Sequence, residues 1–284
     1  MEVHERRVLT PQRGVNPERS RGTSRHGKPL AATSPVRLVL SLVLLLLSCH
    51  MSARPHILVV TATLGFRHDS IPTAEQVLAN IADEHGADIS YARTEEEVRT
   101  RLTPSELENV DAVFFVNTTG ELPLTAAQAL LEWVRNGGTF VGAHSASDTW
   151  HGVPDYLDML GGEFIGHPPE IAAQVVVDDR THPATRSLPP TIQLFEEYYY
   201  LGRIDLLRMR ELLSLRARPE PPHDAGYFPL AWEKSYGTGR VFYTALGHRA
   251  DVWQSPWYRA HMSGIVQWAL NPPATQPKRR AARH

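Results

Sequence analysis

Between residues 56 and 142 the chain alternates short apolar runs with longer stretches of helical periodicity, and that rhythm limits the folds open to it. Residues 56–61, 111–116 and 139–142 are almost without polar interruption, and a strand that lacks alternation needs cover on both faces. Ile71, Ala74, Leu78, Ile81, Ala82 and His85 recur at helical spacing until Gly86, and residues 125–136 repeat the pattern before Gly137 and Gly138. With a second strand at 88–92, this is the grammar of a parallel sheet flanked by helices. After Gly161 the connections shorten. Strands are expected at 173–177, 192–199, 212–216 and 230–233, then a last apolar strand at 240–246 and a closing helix at 256–270. The expected fold is α/β: a three-layer α/β/α sandwich with a mainly parallel central sheet and an antiparallel extension. No internal repeat and no second domain boundary interrupts residues 54–271.

The ends read differently. Residues 1–35 are rich in Arg, Ser, Pro and Gly without apolar periodicity, as expected of a disordered basic segment. Residues 36–53 read as a signal-peptide or lipoprotein-signal segment, because the apolar run 38–47 is too short to span a bilayer yet suits a signal h-region. Leu46-Leu47-Ser48-Cys49 resembles a lipobox, which predicts export and a lipid anchor at Cys49; translation from Met51 would instead give a cytoplasmic domain. Residues 272–284 form a basic, disordered tail.

Composition narrows the chemistry. A net charge of -2, with basic residues crowded at the termini, excludes the broad cationic surface that non-specific nucleic-acid binding needs. The only cysteine is Cys49, so the domain that follows has neither a disulfide nor a thiolate zinc site. Fourteen histidines direct attention to imidazole as metal ligand or proton carrier.

In open parallel sheets ligands bind beyond the carboxyl ends of the strands, so the segments after strands carry the candidates. After the first strand comes Gly65-Phe66-Arg67-His68-Asp69-Ser70, with Ser70 placed to cap a helix and Arg67 and His68 placed to meet a ligand. Asn117-Thr118-Thr119-Gly120 follows the third strand, and Asn117 and Thr118 are candidate pocket residues or a turn. Gly142-Ala143-His144-Ser145-Ala146 has the form of a nucleophile elbow with His144 at its tip, and Asp148 follows. Reading Ser145 as the nucleophile puts bulkier residues where glycines are wanted, so a serine hydrolase fits poorly. His167, Glu197, Tyr198 and His248 complete the set. Two or three histidines with one carboxylate suit a divalent metal, and a His and Glu pair alone suits acid and base work.

These blocks together resemble the ThuA-like (trehalose utilisation) family: the loop 65–70, the turn 117–120, residues 140–149, Gly166-His167-Pro168, Glu197-Tyr198-Tyr199 and residues 239–248, in the family's order. The resemblance implies a fold like that of class I glutamine amidotransferases, also described as flavodoxin-like. Those enzymes carry a cysteine at the elbow. Here His144 stands there, which argues against thiol-dependent glutaminase chemistry. It further implies catabolism of trehalose or a related disaccharide, keto-sugar derivatives included. The expected machinery is His144, Glu197 and His248 as acid, base or ligands. A divalent metal such as zinc would be held by His144, His167, Glu197 and His248, and substrate met by Arg67, His68, Asn117, Thr118, Asp148, His167 and Tyr198. Trp150, Tyr156, Tyr198 and Trp253 are candidates to stack on sugar rings. The alternative is a non-catalytic carbohydrate-binding or accessory domain of the cell envelope.

Overall fold

The computed structural model describes residues 53–215 and 228–273. The expected leader, the apolar run 38–47, Cys49, Met51 and most of the basic tail lie outside the described residues. Among the described residues no helix is long and apolar enough to cross a membrane.

The first half follows the rhythm read from the sequence: β1 (His56–Val60), α1 (Ile71–Glu84), β2 (Asp88–Ala92), α2 (Glu95–Arg101), α3 (Pro104–Leu107), β3 (Ala112–Val116), α4 (Leu124–Arg135) and β4 (Thr139–Ala143). A 3-10 turn, His144–Asp148, leads to α5 (Pro154–Leu160) and β5 (Glu163–Gly166). The remainder is β6 (Ile171–Val177), β7 (Thr191–Glu196), β8 (Tyr200–Gly202), β9 (Arg210–Leu215), β10 (Phe228–Tyr236), β11 (Gly239–Thr244), α6 (Ala250–Gln254) and α7 (Pro256–Leu270).

Nine strands form one sheet in the order β2-β1-β3-β4-β11-β10-β9-β6-β7. The first five are mutually parallel, and from β11 onward each neighbour is antiparallel. This is the flavodoxin-like order with an antiparallel extension, as expected. Every residue of β3, β4 and β11 is buried, which accounts for their lack of alternation. Helices cover the sheet in two groups: α1 packs with α6 and α7, and α4 with α2, α3 and α5. In contrast, β7 alternates exposed and buried residues, as an edge strand with one wet face should. β5 and β8 pair separately as a two-stranded ribbon.

Two helix starts depart from expectation. Ser70 precedes α1 but its side chain caps nothing; its hydroxyl donates to the carbonyl of Gly247, 3.3 Å away, and so ties the loop after β1 to the loop after β11. The element after β4 is a 3-10 turn rather than an α-helix, so no α-helical N-terminus stands beside His144. The short α2 carries a full capping box, Thr94 with Glu97.

Candidate metal centre

Parallel register builds the site. Ala143 at the end of β4 pairs with Thr244 at the end of β11, so the residues just beyond, His144 and Ala245, emerge side by side. His144 has a φ of 50°, the left-handed turn of an elbow. Such a turn needs small neighbours: a Cβ on Gly142 would lie 2.9 Å from Leu160 and 3.2 Å from the Cβ of Ala146. The His144 carbonyl accepts from the Tyr243 hydroxyl at 2.8 Å, and its Nδ1 lies 3.0 Å from the carbonyl oxygen of Ala245. A carbonyl only accepts, so Nδ1 carries the proton and Nε2 turns a lone pair away from the sheet.

Around that Nε2 the fold gathers further donors. His68 Nε2 lies 3.1 Å away, Glu197 Oε2 3.3 Å and His248 Nδ1 3.3 Å. His248 Nδ1 and Glu197 Oε2 are 3.1 Å apart, and all four ligand atoms fall within 4.8 Å of one another. Donors bound at about 2.0–2.1 Å to one ion are separated by roughly 3 Å, so the spacing fits a single metal ion. The chemistry fits as well. With its proton on Nδ1, His144 Nε2 can only accept, as can the Glu197 carboxylate 3.3 Å away, and a cation between them would satisfy both.

The electrostatics agree. Burial, reinforced by the neighbouring His144 and His248, pushes His68 down to about 3, and burial also lowers His144, so both are neutral at pH 7. Burial pushes the Glu197 carboxyl up, but the imidazoles of His144 and His248 beside it outweigh this and hold the group well below the usual carboxylate range. Burial lowers His248 too, yet its bond to Glu197 prevails and raises it.

Beside the centre lies an open cleft of about 390 Å³, lined among others by Phe66, Asp69, Glu170, His248, Arg249 and Asp251. Arg249 is spanned by Glu170 at 3.0 Å and Asp251 at 2.9 Å.

The ThuA model, described as trehalose utilisation, matches residues 56–269. The chain belongs to the ThuA family. Its fold is similar to a thua-like protein from Bacteroides uniformis ATCC 8492, at 19% identity and a TM-score of 0.66, over 82% of this chain and 98% of that one. A thua-like protein from Parabacteroides merdae ATCC 43184 matches at 17% identity and 0.63, over 79% and 92%. A cytoplasmic protein from Salmonella typhimurium matches at 11% and 0.54, over 75% and 98%. No protein of curated function matches the sequence.

Within this ThuA domain the structure brings His68, His144, Glu197 and His248 together and leaves other expected residues outside. His68, anticipated as a substrate contact, is one of the four donors. His167, anticipated as a ligand, is not: it is half-exposed and its Nδ1 sits 2.8 Å from Glu197 Oε1, the oxygen turned away from the centre. Arg67 is exposed and bends back to the carbonyl of Thr61 at 3.3 Å. Asn117 is buried and braces Ser70 and the Gly247 carbonyl at 3.0 and 3.1 Å, and buried Thr118 pairs with Thr149 at 2.8 Å, so these two hold loops together instead of lining a pocket. Asp148 is engaged by His151 at 2.8 Å, which also reaches Glu163 on β5 at 3.0 Å.

The aromatic expectations need correction. Trp150, Tyr156, Tyr198 and Trp253 are buried, and their polar atoms donate to the carbonyls of Leu122, Ala146, Leu194 and Gly247. None offers a ring face to a sugar; the exposed aromatic ring at the cleft is Phe66. Two residues escaped the sequence reading. Tyr199, next to the chosen Tyr198, stacks on His144 with ring centres 4.3 Å apart. Glu196, next to Glu197, is fully buried and accepts the amides of Gly247 and His248 at 3.2 and 2.6 Å, fixing the loop that carries His248. Burial pushes its carboxyl up to about 8, against the His248 amide that pulls it down. The Glu-Glu-Tyr-Tyr run was the available signal.

Proposed function

We propose that this ThuA protein is a metal-dependent enzyme of carbohydrate catabolism, acting on trehalose, a related disaccharide or a keto-sugar derivative. The observation that carries the reading is the set of four convergent donor atoms, His68 Nε2, His144 Nε2, Glu197 Oε2 and His248 Nδ1, the first three on buried residues and the last on a part-buried one, beside an open cleft. Three imidazoles and a carboxylate that converge on one point between loops are poorly explained as scaffold. Family membership supplies the sugar, and the cleft supports it: paired carboxylates and a guanidinium, Asp69, Glu170, Asp251 and Arg249, suit hydroxyl recognition, with Phe66 at the rim as an apolar face.

A divalent ion held by the four residues would polarise a carbonyl or hydroxyl oxygen of the sugar. The protein's own groups would do the rest. His167 donates its Nδ1–H to Glu197 Oε1 at the edge of the site, which would leave Nε2 of this half-exposed imidazole to take the proton released by a substrate hydroxyl and hand it to solvent. Buried Tyr199, with the part-buried Phe164 packed on it, would close the side of the centre toward the β5–β8 ribbon. Export with an anchor at Cys49 remains part of the same proposal, and Cys49→Ser should leave the activity intact while blocking lipidation.

The test is turnover of disaccharides and their keto derivatives by the metal-replete and chelator-stripped protein. Metal-dependent turnover supports the reading. Sugar binding without turnover of any of them, at full metal occupancy, would favour the accessory binding domain.

A further inference from the structure

The structure assigns Tyr199 as a fifth donor to the centre, its phenol oxygen facing the same ion as His68, His144, Glu197 and His248; this rests on the metal reading above. The argument is one of counting neighbours. A tetrahedral set bound at about 2.0–2.1 Å gives each donor three neighbours at roughly 3.3 Å. His144 Nε2 has four: Tyr199 Oη at 2.7 Å, His68 Nε2 at 3.1 Å, Glu197 Oε2 at 3.3 Å and His248 Nδ1 at 3.3 Å. A donor with four close neighbours belongs to a set of five or six, in which adjacent donors stand about 3 Å apart at the same bond lengths.

The phenol is held in that place. Its ring lies against the His144 ring at 4.3 Å with planes 29° apart, and Phe164 of β5 packs on it at 4.5 Å. Tyr199 is buried, and its hydroxyl has no carbonyl of its own to serve, unlike the neighbouring Tyr198, whose hydroxyl donates to Leu194. A set of five donors would leave a sixth position for a substrate oxygen. Three imidazoles, a carboxylate and a phenol oxygen in a five-donor set suit manganese, iron, cobalt or nickel better than the closed tetrahedron of a structural zinc.

The bland alternative is a phenol that only donates a hydrogen bond to His144 Nε2 and never meets the ion. Iron(III) separates the two, because a phenolate bound to it gives a visible charge-transfer band and resonance-enhanced tyrosinate modes. The stripped protein is loaded with iron(III), and the wild type and Tyr199→Phe are compared by absorption and Raman spectra. Iron content and manganese(II) affinity are measured on the same samples. The expected result is a coloured wild type and a Tyr199→Phe variant that keeps one iron per chain, is colourless and binds manganese about 10–100-fold more weakly. Iron bound at equal stoichiometry with no tyrosinate band in the wild type overturns the assignment and leaves the four-residue site standing. Binding of neither metal by the wild type overturns both. The wild-type Raman spectrum decides the matter even where the variant fails to fold.

Discussion

His144 Nδ1 stands 3.0 Å from the carbonyl oxygen of Ala245, the first residue beyond the strand paired with its own. One hydrogen bond thereby fixes both the tautomer and the direction of the ring, and the sheet register places the bond. The histidine is wholly buried, so its replacement has structural as well as chemical consequences.

His144→Asn and His144→Ala should therefore differ. Asparagine tolerates the left-handed backbone that His144 adopts at φ 50°, whereas alanine there is strained by about 1 kcal/mol. The Asn variant should fold, less stable by about 1–3 kcal/mol for the buried partners left unpaired, and should lose metal binding and turnover. The Ala variant should melt lower still. Denaturant melts beside metal content check both, and an Asn variant with full turnover would remove His144 from the chemistry.

Glu196 should behave as a positioning residue. Glu196→Gln keeps an oxygen for the amides of Gly247 and His248 and is neutral, the state burial already favours, so metal affinity should stay within a few-fold of wild type. Glu196→Ala frees the loop and should weaken binding about 10–100-fold. Competition with a chromophoric chelator reads the difference; equal affinities for Gln and Ala would show that the loop holds itself.

His151 gives the fold a pH dependence away from the centre. Burial lowers it, but bonds to Asp148 and Glu163 outweigh this and raise it above its ordinary 6.5. A histidine raised in the folded state contributes stability fully present below pH 6.5 and lost as pH climbs through the folded value. His151→Gln should flatten the fall in melting temperature above pH 6.5. Parallel curves for the two proteins would mean that the clamp between the elbow turn and β5 is not electrostatic.

Much of this was legible in the sequence, and the misses have physical causes. Continuous apolar runs identified β1, β3 and β4 because burial on both faces leaves no room for polar residues, and the spacing of Gly142 and Ala146 around His144 identified the elbow. The short β5 and β8 ribbon left no such signature. Around Glu196-Glu197-Tyr198-Tyr199 the side chains diverge residue by residue, so an uncertainty of one position exchanges the carboxylate facing His144 for a brace and a core tyrosine for the one whose hydroxyl meets His144. Glu197 lies in the cluster of donors, whereas Tyr198 packs in the core. Polar loops posed the other difficulty: whether Asn117 and Thr118 face a ligand or each other's loops depends on tertiary packing that no local pattern encodes.

Metal content of the purified protein, with the ion located by anomalous diffraction, tests the central claim most directly. One transition-metal ion per chain among His68, His144, Glu197 and His248, lost in a His144→Asn, His248→Ala double variant that still folds, is the expected result. A wild-type protein that takes up no metal from any divalent series, or a double variant that retains the full complement, would contradict it.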